Sequence, residues 1–278
     1  MPELGEVEHA RRIAERVAVG RVITEVVVLP DPLVFEGRTP DMLREALRGG
    51  LITGSERHGK HFWLTLRDRP SLLVHLGMSG TVRTPGEAPL PIESGPAVDP
   101  GVWPPRFLKL HLFLEDGGEL AFTNARRFGR LRLRDDVRAS PPVCELGYDP
   151  LEELPSAEDF SRRIGTRRGT LKGLLLDQGF AAGVGNWIAD EVLYQTRLDP
   201  RRLVPSLSPE ERDAIRLAIR HIVVTTCAAN ARAEAMPPEW LFHRRWGRPE
   251  GTLDAEGALI VVQTVAGRST AFVPSRQR

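Results

Sequence analysis

The hydrophobic period changes twice along the 278 residues, and that change limits the folds open to the chain. Up to Arg134 most apolar residues fall in short runs: Val22 to Leu29, Leu51 to Thr53, His61 to Leu66, Ser71 to Leu76, Gly80 to Arg83, Arg106 to Leu114, Glu119 to Thr123 and Gly129 to Arg134. Runs of this length punctuated by turn residues predict strands, and Asp116-Gly117-Gly118 predicts a hairpin between two of them. Two helices interrupt this part: Leu4 to Val19, with apolar residues at helical spacing and Gly20 as its stop, and Pro40 to Arg48, with Thr39 as cap. From Ser156 the period becomes helical. Ser156 caps a helix to about Ile164; Leu171 to Gln178 and Asn186 to Arg197 follow, and Ser208-Pro209-Glu210-Glu211 is a capping box opening a helix to Ala229. After Trp240 short strands return, with turns at Gly247 and Gly257. The expected organisation is α+β, with a sheet-rich part over 1–137, a helical part over 138–235 and a small β appendage over 236–278.

Composition narrows the class further. With 41% hydrophobic and 27% charged residues the chain reads as a soluble globular protein with enough apolar side chains for a real core. No apolar run approaches the roughly 18 residues that a membrane span needs, and no signal-peptide core is present, so the expectation is an intracellular protein without a membrane partner. Cys144 and Cys227 are too few and too far apart for a disulfide framework or a cysteine metal site. Seven prolines between residues 85 and 105 predict a surface loop. A formal charge of +1 does not announce a nucleic-acid binder, so any such reading rests on where the charge lies.

Three stretches concentrate chemistry. The chain opens Met1-Pro2-Glu3-Leu4-Gly5-Glu6. Removal of the initiator methionine would leave Pro2 with a free secondary amine. An α-amino group titrates at about 7.7 to 8.0, so a useful fraction is nucleophilic near neutral pH, and Glu3 and Glu6 could move protons beside it. The same residues also read as the plain start of a helix. Gly183-Val184-Gly185-Asn186 lies between two helical runs, where it is either an ordinary turn or a tight one whose following helix start faces an anion. Residues 123–134 hold five arginines and no acid. Arg130, Arg132 and Arg134 alternate with Leu131 and Leu133 and so share one strand face, which for Arg132 and Arg134 reads as solvated surface.

Taken together, these motifs resemble the formamidopyrimidine-DNA glycosylase and endonuclease VIII family, zincless-finger type. The resemblance covers Met1 to Glu8, with Gly5 where the family usually has a second proline. It extends to Gly59-Lys60, His75-Leu76-Gly77-Met78, Arg126-Arg127-Phe128-Gly129, and Lys172 to Gln178 followed by Ala182 to Asn186. It implies a two-sheet β-sandwich, a helix-two-turn-helix domain and a C-terminal hairpin finger. The activity it implies is that of a bifunctional DNA glycosylase with AP lyase activity, acting on damaged double-stranded DNA as a monomer without a cofactor. Pro2 would attack C1′, Glu3 and Glu6 would handle protons, and Lys60 would be the active-site lysine. Met78, Arg126 and Phe128 would fill the gap left by an extruded base, an apolar wedge and a cation replacing what was lost. Lys109, Arg168 and Asn186 would contact the DNA backbone.

Where many members carry a four-cysteine zinc finger, this chain has no cysteine after Cys227, and His243 is the one ligand candidate in the region. Zinc needs thiolate or imidazole ligands, so no metal is expected. Trp240 to Gly247 and Thr264 to Pro274 resemble the zincless finger instead, with Arg268 in the place of the finger arginine that grips the phosphate and assists elimination. The short segment from Ala228 to Glu239 has no room for the longer loop that 8-oxoguanine specialists carry there, which points to formamidopyrimidines and related lesions. The resemblance places such a protein in the cytoplasm with the nucleoid if bacterial and in the nucleus if eukaryotic. The rival expectation is a catalytically idle binder of abasic or damaged DNA.

Overall fold

A computed structural model describes residues 1–278 apart from 92–98, 100, 166 and 248–250, so part of the loop expected at 85–105 lies outside the described residues. The chain divides into two compact units, Met1–Glu145 and Leu146–Arg278.

The first unit contains α1 (Leu4–Ala18), β1 (Ile23–Val28), α2 (Pro40–Leu47), β2 (Ile52–His58), β3 (His61–Leu66), β4 (Ser71–His75), β5 (Gly80–Arg83), β6 (Leu108–Leu114), β7 (Glu119–Asn124) and β8 (Arg130–Arg134). The strands form two four-stranded antiparallel sheets, ordered β1-β6-β7-β5 and β2-β3-β4-β8. Their apolar faces share one core, which includes Phe62, Leu64, Leu72 and Val74 from one sheet and Val26, Leu110, Leu112 and Phe122 from the other. Each such fully buried large side chain contributes about 1.5 to 3 kcal/mol. Helix α1 lies across both sheets, touching β2 and β3 on one side and β5 and β7 on the other. Its buried positions Val7, Ala10, Ile13 and Ala14 follow the helical spacing read from the sequence. On β8 the leucines point inward and the arginines outward, as their alternation requires.

One face of α1 buries charge. Glu8 is 5% exposed and Arg57, on β2, is 4% exposed. Arg57 donates from Nε to Glu8 Oε2 at 3.1 Å and from Nη1 to the Gly59 carbonyl at 3.1 Å. Burial works against the Glu8 carboxylate, yet Arg11, Arg57 and Arg12 together hold it below its ordinary range. The pair ties the helix that carries the amino terminus to the Gly59-Lys60 turn between β2 and β3, where Gly59 sits at φ 58°.

The second unit contains α3 (Ala157–Gly165), α4 (Leu171–Leu176), α5 (Asn186–Gln195), α6 (Pro209–Ala228), β9 (Val261–Val265) and β10 (Arg268–Phe272). Ser208 and Glu211 form the reciprocal capping box expected at the head of α6, the Ser208 hydroxyl accepting from Glu211 N at 3.2 Å and Glu211 Oε2 accepting from Ser208 N at 2.9 Å. Helix α4 stops at Leu176, two residues short of its expected end, because Gln178 turns back. Its side-chain amide donates to Val184 O at 2.7 Å and accepts from Gly183 N at 3.1 Å. β9 and β10 form a hairpin closed by Ala266 and Gly267, both at positive φ. That is the mirror-image turn whose twist matches the strands.

An ionic node holds this unit together. Asp190 on α5 is fully buried, and its carboxylate meets the buried Lys172 of α4, Arg245 (Nη2 at 2.5 Å) and the backbone N–H of Ala271 on β10 at 3.1 Å. Lys172 also donates to the Asn186 carbonyl at 2.7 Å. Around the node, Leu241, Ile260, Ala271 and Val273 form an apolar cluster against which Tyr194 packs. Asp190→Asn keeps the shape and removes the negative charge that two buried cations share. Urea unfolding should show a loss of about 3 to 5 kcal/mol in the transition that reports on this unit. A change below about 1 kcal/mol, the range of an exposed pair, would contradict the role assigned to the node.

Candidate active site

The amino terminus is built into the fold. Pro2 and Glu3 are buried and Met1 is half-buried. Glu3 caps α1: its backbone N–H donates to Glu6 Oε2 at 3.1 Å, and the pair forms a reciprocal capping box. Both carboxylates expected to move protons are therefore held at the helix start, on the residues that flank the chain's first nitrogen atoms. The α-amino group of Met1 is pushed below its ordinary 8.0, first by burial. Glu3 and Glu6 oppose that shift, while Lys60 and Arg126 reinforce it. Those influences place the amino terminus, Glu3, Glu6, Lys60 and Arg126 within one electrostatic neighbourhood. Glu6 is pushed up to about 7 by burial and by Glu3, so near neutral pH it is divided between acid and base forms.

Two loops adjoin this group. His75 ends β4 and stacks on His61 with ring centroids 4.7 Å apart. Burial, then Lys60, pushes His75 down to about 4, so at neutral pH it carries no charge. The next residues, Leu76-Gly77-Met78, turn against the Arg126-to-Gly129 loop. Gly77 sits at φ 64°, and a Cβ there would lie 2.4 Å from the backbone of Phe128 and Gly129. Only glycine permits that approach. Asn124, 4% exposed, joins the two loops, donating to Leu76 O at 2.9 Å and accepting from Gly129 N at 3.2 Å. At the tip Arg126 and Phe128 are exposed, with the guanidinium 5.6 Å from the ring centroid. Met78 is half-buried on the facing turn.

Lys109 lies at a bulge where β6 pairs with β7, and its Nζ is 2.9 Å from Asp31. This expected DNA contact is thus engaged with a buried acid. Arg132, read as merely solvated, forms a bidentate pair with Glu36, at 2.9 and 2.6 Å.

In the second unit, Arg168 is exposed on the link between α3 and α4, while its neighbour Arg167 is tied to Asp177 at 3.2 Å. Gly183, at φ 95°, and Gly185 form the expected turn, and Gly185 caps α5 without a side chain. The Asn186 side chain donates to Ser269 O on β10 at 2.8 Å. It thereby fixes the head of α5 to β10, whose first residue, Arg268, is exposed. Among the described residues no group of three or more His, Cys, Asp or Glu could hold a metal ion, and no helix is long and apolar enough to cross a membrane.

Asp31, Arg57, Asn124, Gln178 and Asp190 position these residues and were not singled out from the sequence. Asp190 had a readable signal, an acid set among Ile188, Ala189, Val192 and Leu193 in a helical run. Asp31 had none, since Leu29-Pro30-Asp31-Pro32 reads as an ordinary turn.

A pH dependence follows from Glu6. Folding raises its pKa from 4.5 to about 7, so the folded state binds the proton more tightly. This contribution to stability is full below the unfolded value and is lost as pH rises through about 7. A carbon NMR titration of labelled glutamate should show two carboxyls with midpoints near 7, those of Glu6 and Glu191, and Glu6→Gln should remove one of them. Glutamates that all titrate near 4.5 would contradict this environment.

Comparison with known proteins places this geometry. Residues 1–131 match the model of the formamidopyrimidine-DNA glycosylase N-terminal domain, and residues 146–235 match that of the formamidopyrimidine-DNA glycosylase H2TH domain. A formamidopyrimidine-DNA glycosylase of Arabidopsis thaliana is 37% identical over the whole chain, which spans 71% of that protein. One from Desulfitobacterium hafniense is 33% identical with both chains fully covered. Among solved structures, MutM (Fpg) of Thermus thermophilus superposes with a TM-score of 0.76 at 32% identity, covering 99% of this chain and 98% of that one. The Lactococcus lactis enzyme, bound non-covalently to DNA containing an AP site, superposes with a TM-score of 0.81 at 25% identity, covering 99% of each chain. The chain belongs to the formamidopyrimidine-DNA glycosylase family.

Proposed function

We propose that this protein is a DNA glycosylase of base excision repair that removes oxidised bases and then cleaves the strand, using the nitrogen of Pro2 as nucleophile. Supporting the reading is the family membership together with one observation: the amino terminus, two carboxylates, Lys60 and Arg126 share one neighbourhood in which the terminal amine is driven toward its neutral form. That amine is Met1's, and burial is the largest influence on it; with Met1 removed, the same burial would favour an unprotonated Pro2 nitrogen, as a nucleophile must be.

With Met1 removed, the Pro2 nitrogen attacks C1′ of an everted damaged nucleoside and the bond from C1′ to the base breaks. Glu3 delivers a proton to the sugar ring oxygen, and opening of the ring yields an iminium ion between Pro2 and C1′. That ion is an electron sink. Loss of a C2′ proton expels the 3′ phosphate, and a second elimination expels the 5′ phosphate. Glu6, poised near neutrality, exchanges protons with this system. Lys60 sets the electrostatics of the amine. Arg168 and Arg268, both exposed, are the phosphate ligands, and they make affinity fall steeply with salt, while the exposed Arg126 serves with Phe128 and Met78 in the gap left by the base. Lys109 and Asn186 are engaged with Asp31 and Ser269, and each keeps a further N–H donor beyond that bond for a phosphate. Such an enzyme works on damaged duplex DNA, in the cytoplasm of a bacterium or the nucleus of a eukaryote, with formamidopyrimidines as preferred lesions.

Borohydride reduction of a reaction on lesion-bearing duplex tests the reading. The protein beginning at Pro2 should yield a covalent protein–DNA complex. A version that retains a residue ahead of Pro2, which makes the nitrogen an amide, should yield none. Glu3→Gln should slow excision by about 10²- to 10⁴-fold, the range of a lost general acid. Salt-sensitive binding to damaged DNA with no trapped species would support the idle binder instead.

A further inference from the structure

The Arg126-to-Gly129 loop hangs on a buried acid. Asp31 follows β1 and is 3% exposed. Its Oδ1 accepts from the backbone N–H groups of Leu33 and Val34 at 3.2 and 3.3 Å, which fixes the carboxylate on its own turn. The remaining capacity faces two cations. Lys109 Nζ lies 2.9 Å from Oδ2, and Arg127 closes a fork, Nε to Oδ2 at 2.9 Å and Nη2 to Oδ1 at 3.0 Å. Two parallel charge-assisted bonds hold a guanidinium in direction as well as in place. The carboxylate therefore joins three parts of the first unit: the turn after β1, the bulge in β6 and the loop after β7.

Arg127 needs such a hold. Its φ is 58°, a left-handed conformation that is strained for any residue but glycine. With its side chain drawn down onto Asp31, its neighbours Arg126 and Phe128 project from the tip, guanidinium beside ring. Released from Asp31, Arg127 has no reason to keep that backbone, and the tip loses its shape.

We propose that Asp31 is a positioning residue for the wedge, and through it for discrimination of the base opposite the lesion. The inference rests on the glycosylase reading above. Asp31 is buried behind the loop and does not touch DNA in this account. Its influence falls on extrusion of the damaged base and on the cation that faces the orphaned partner, steps that chemistry at a preformed abasic site does not need.

Single-turnover excision is measured with each of the four bases opposite the lesion, alongside borohydride trapping on the same duplex carrying a preformed abasic site. Asp31→Asn should slow excision by about 10- to 100-fold, the scale of a misplaced positioning group, and narrow the spread of rates across the four opposite bases. Trapping at the abasic site should be unchanged. Asp31→Glu should recover part of the loss. Arg127→Gln, which leaves the Asp31–Lys109 pair intact, should narrow the spread in the same way, and the double variant should be no worse than either single one. Wild-type discrimination in Asp31→Asn and Arg127→Gln would overturn the proposal, as would parallel loss of excision and abasic trapping. Wild-type protein that neither excises nor traps would sink the glycosylase reading itself, a result distinguishable from both.

Discussion

The buried pair between Glu8 and Arg57 is the constraint on which the first unit's site depends. Glu8 belongs to the helix that starts at the amino terminus, and Arg57 holds the Gly59 carbonyl beside Lys60. A chain end is ordinarily among the most mobile parts of a protein. Here the end is fixed three times over: by the capping box at Glu3 and Glu6, by the apolar face of α1 on both sheets, and by an ion pair that cannot be broken without stranding a buried charge. The burial that lowers the pKa of the Met1 amine is therefore built into the fold.

The second unit solves a comparable problem with different means. A two-stranded hairpin is marginal by itself in water, and this one has no cysteine within reach to bind a metal. Asp190 ties α4, α5, Arg245 and β10 to one carboxylate, and the cluster around Leu241 and Val273 supplies apolar burial beside it. Asn186, bonded to Ser269, links the helical turn to the hairpin that displays Arg268.

Much of this was legible in the sequence because local physics decides it. β3 and β5 run over the residues expected, and the caps Thr39 and Ser208 sit where their side chains can accept from the following turn. The motifs that carry the family resemblance were readable for the same reason, being contiguous. What escaped was pairing at a distance. Asp31 lies 96 residues from Arg127, and no local pattern announces that they meet. Lys109 looked like a free cation because its partner is a turn residue far upstream. Asn124 carried no reading of its own, although it clamps two loops by hydrogen bonds to Leu76 and Gly129. Sheet order was likewise out of reach, since β8 pairs with β4 across the whole span of β5 to β7.

The central claim is that the first nitrogen of the mature chain attacks the sugar, with Lys60 nearby as the rival amine. Mass spectrometry of the tryptic peptides from a borohydride-reduced complex separates them. The account predicts the reduced sugar adduct on the Pro2 nitrogen, in the peptide that begins the chain. An adduct on Lys60 or any other lysine, with the amino-terminal peptide unmodified, would contradict it.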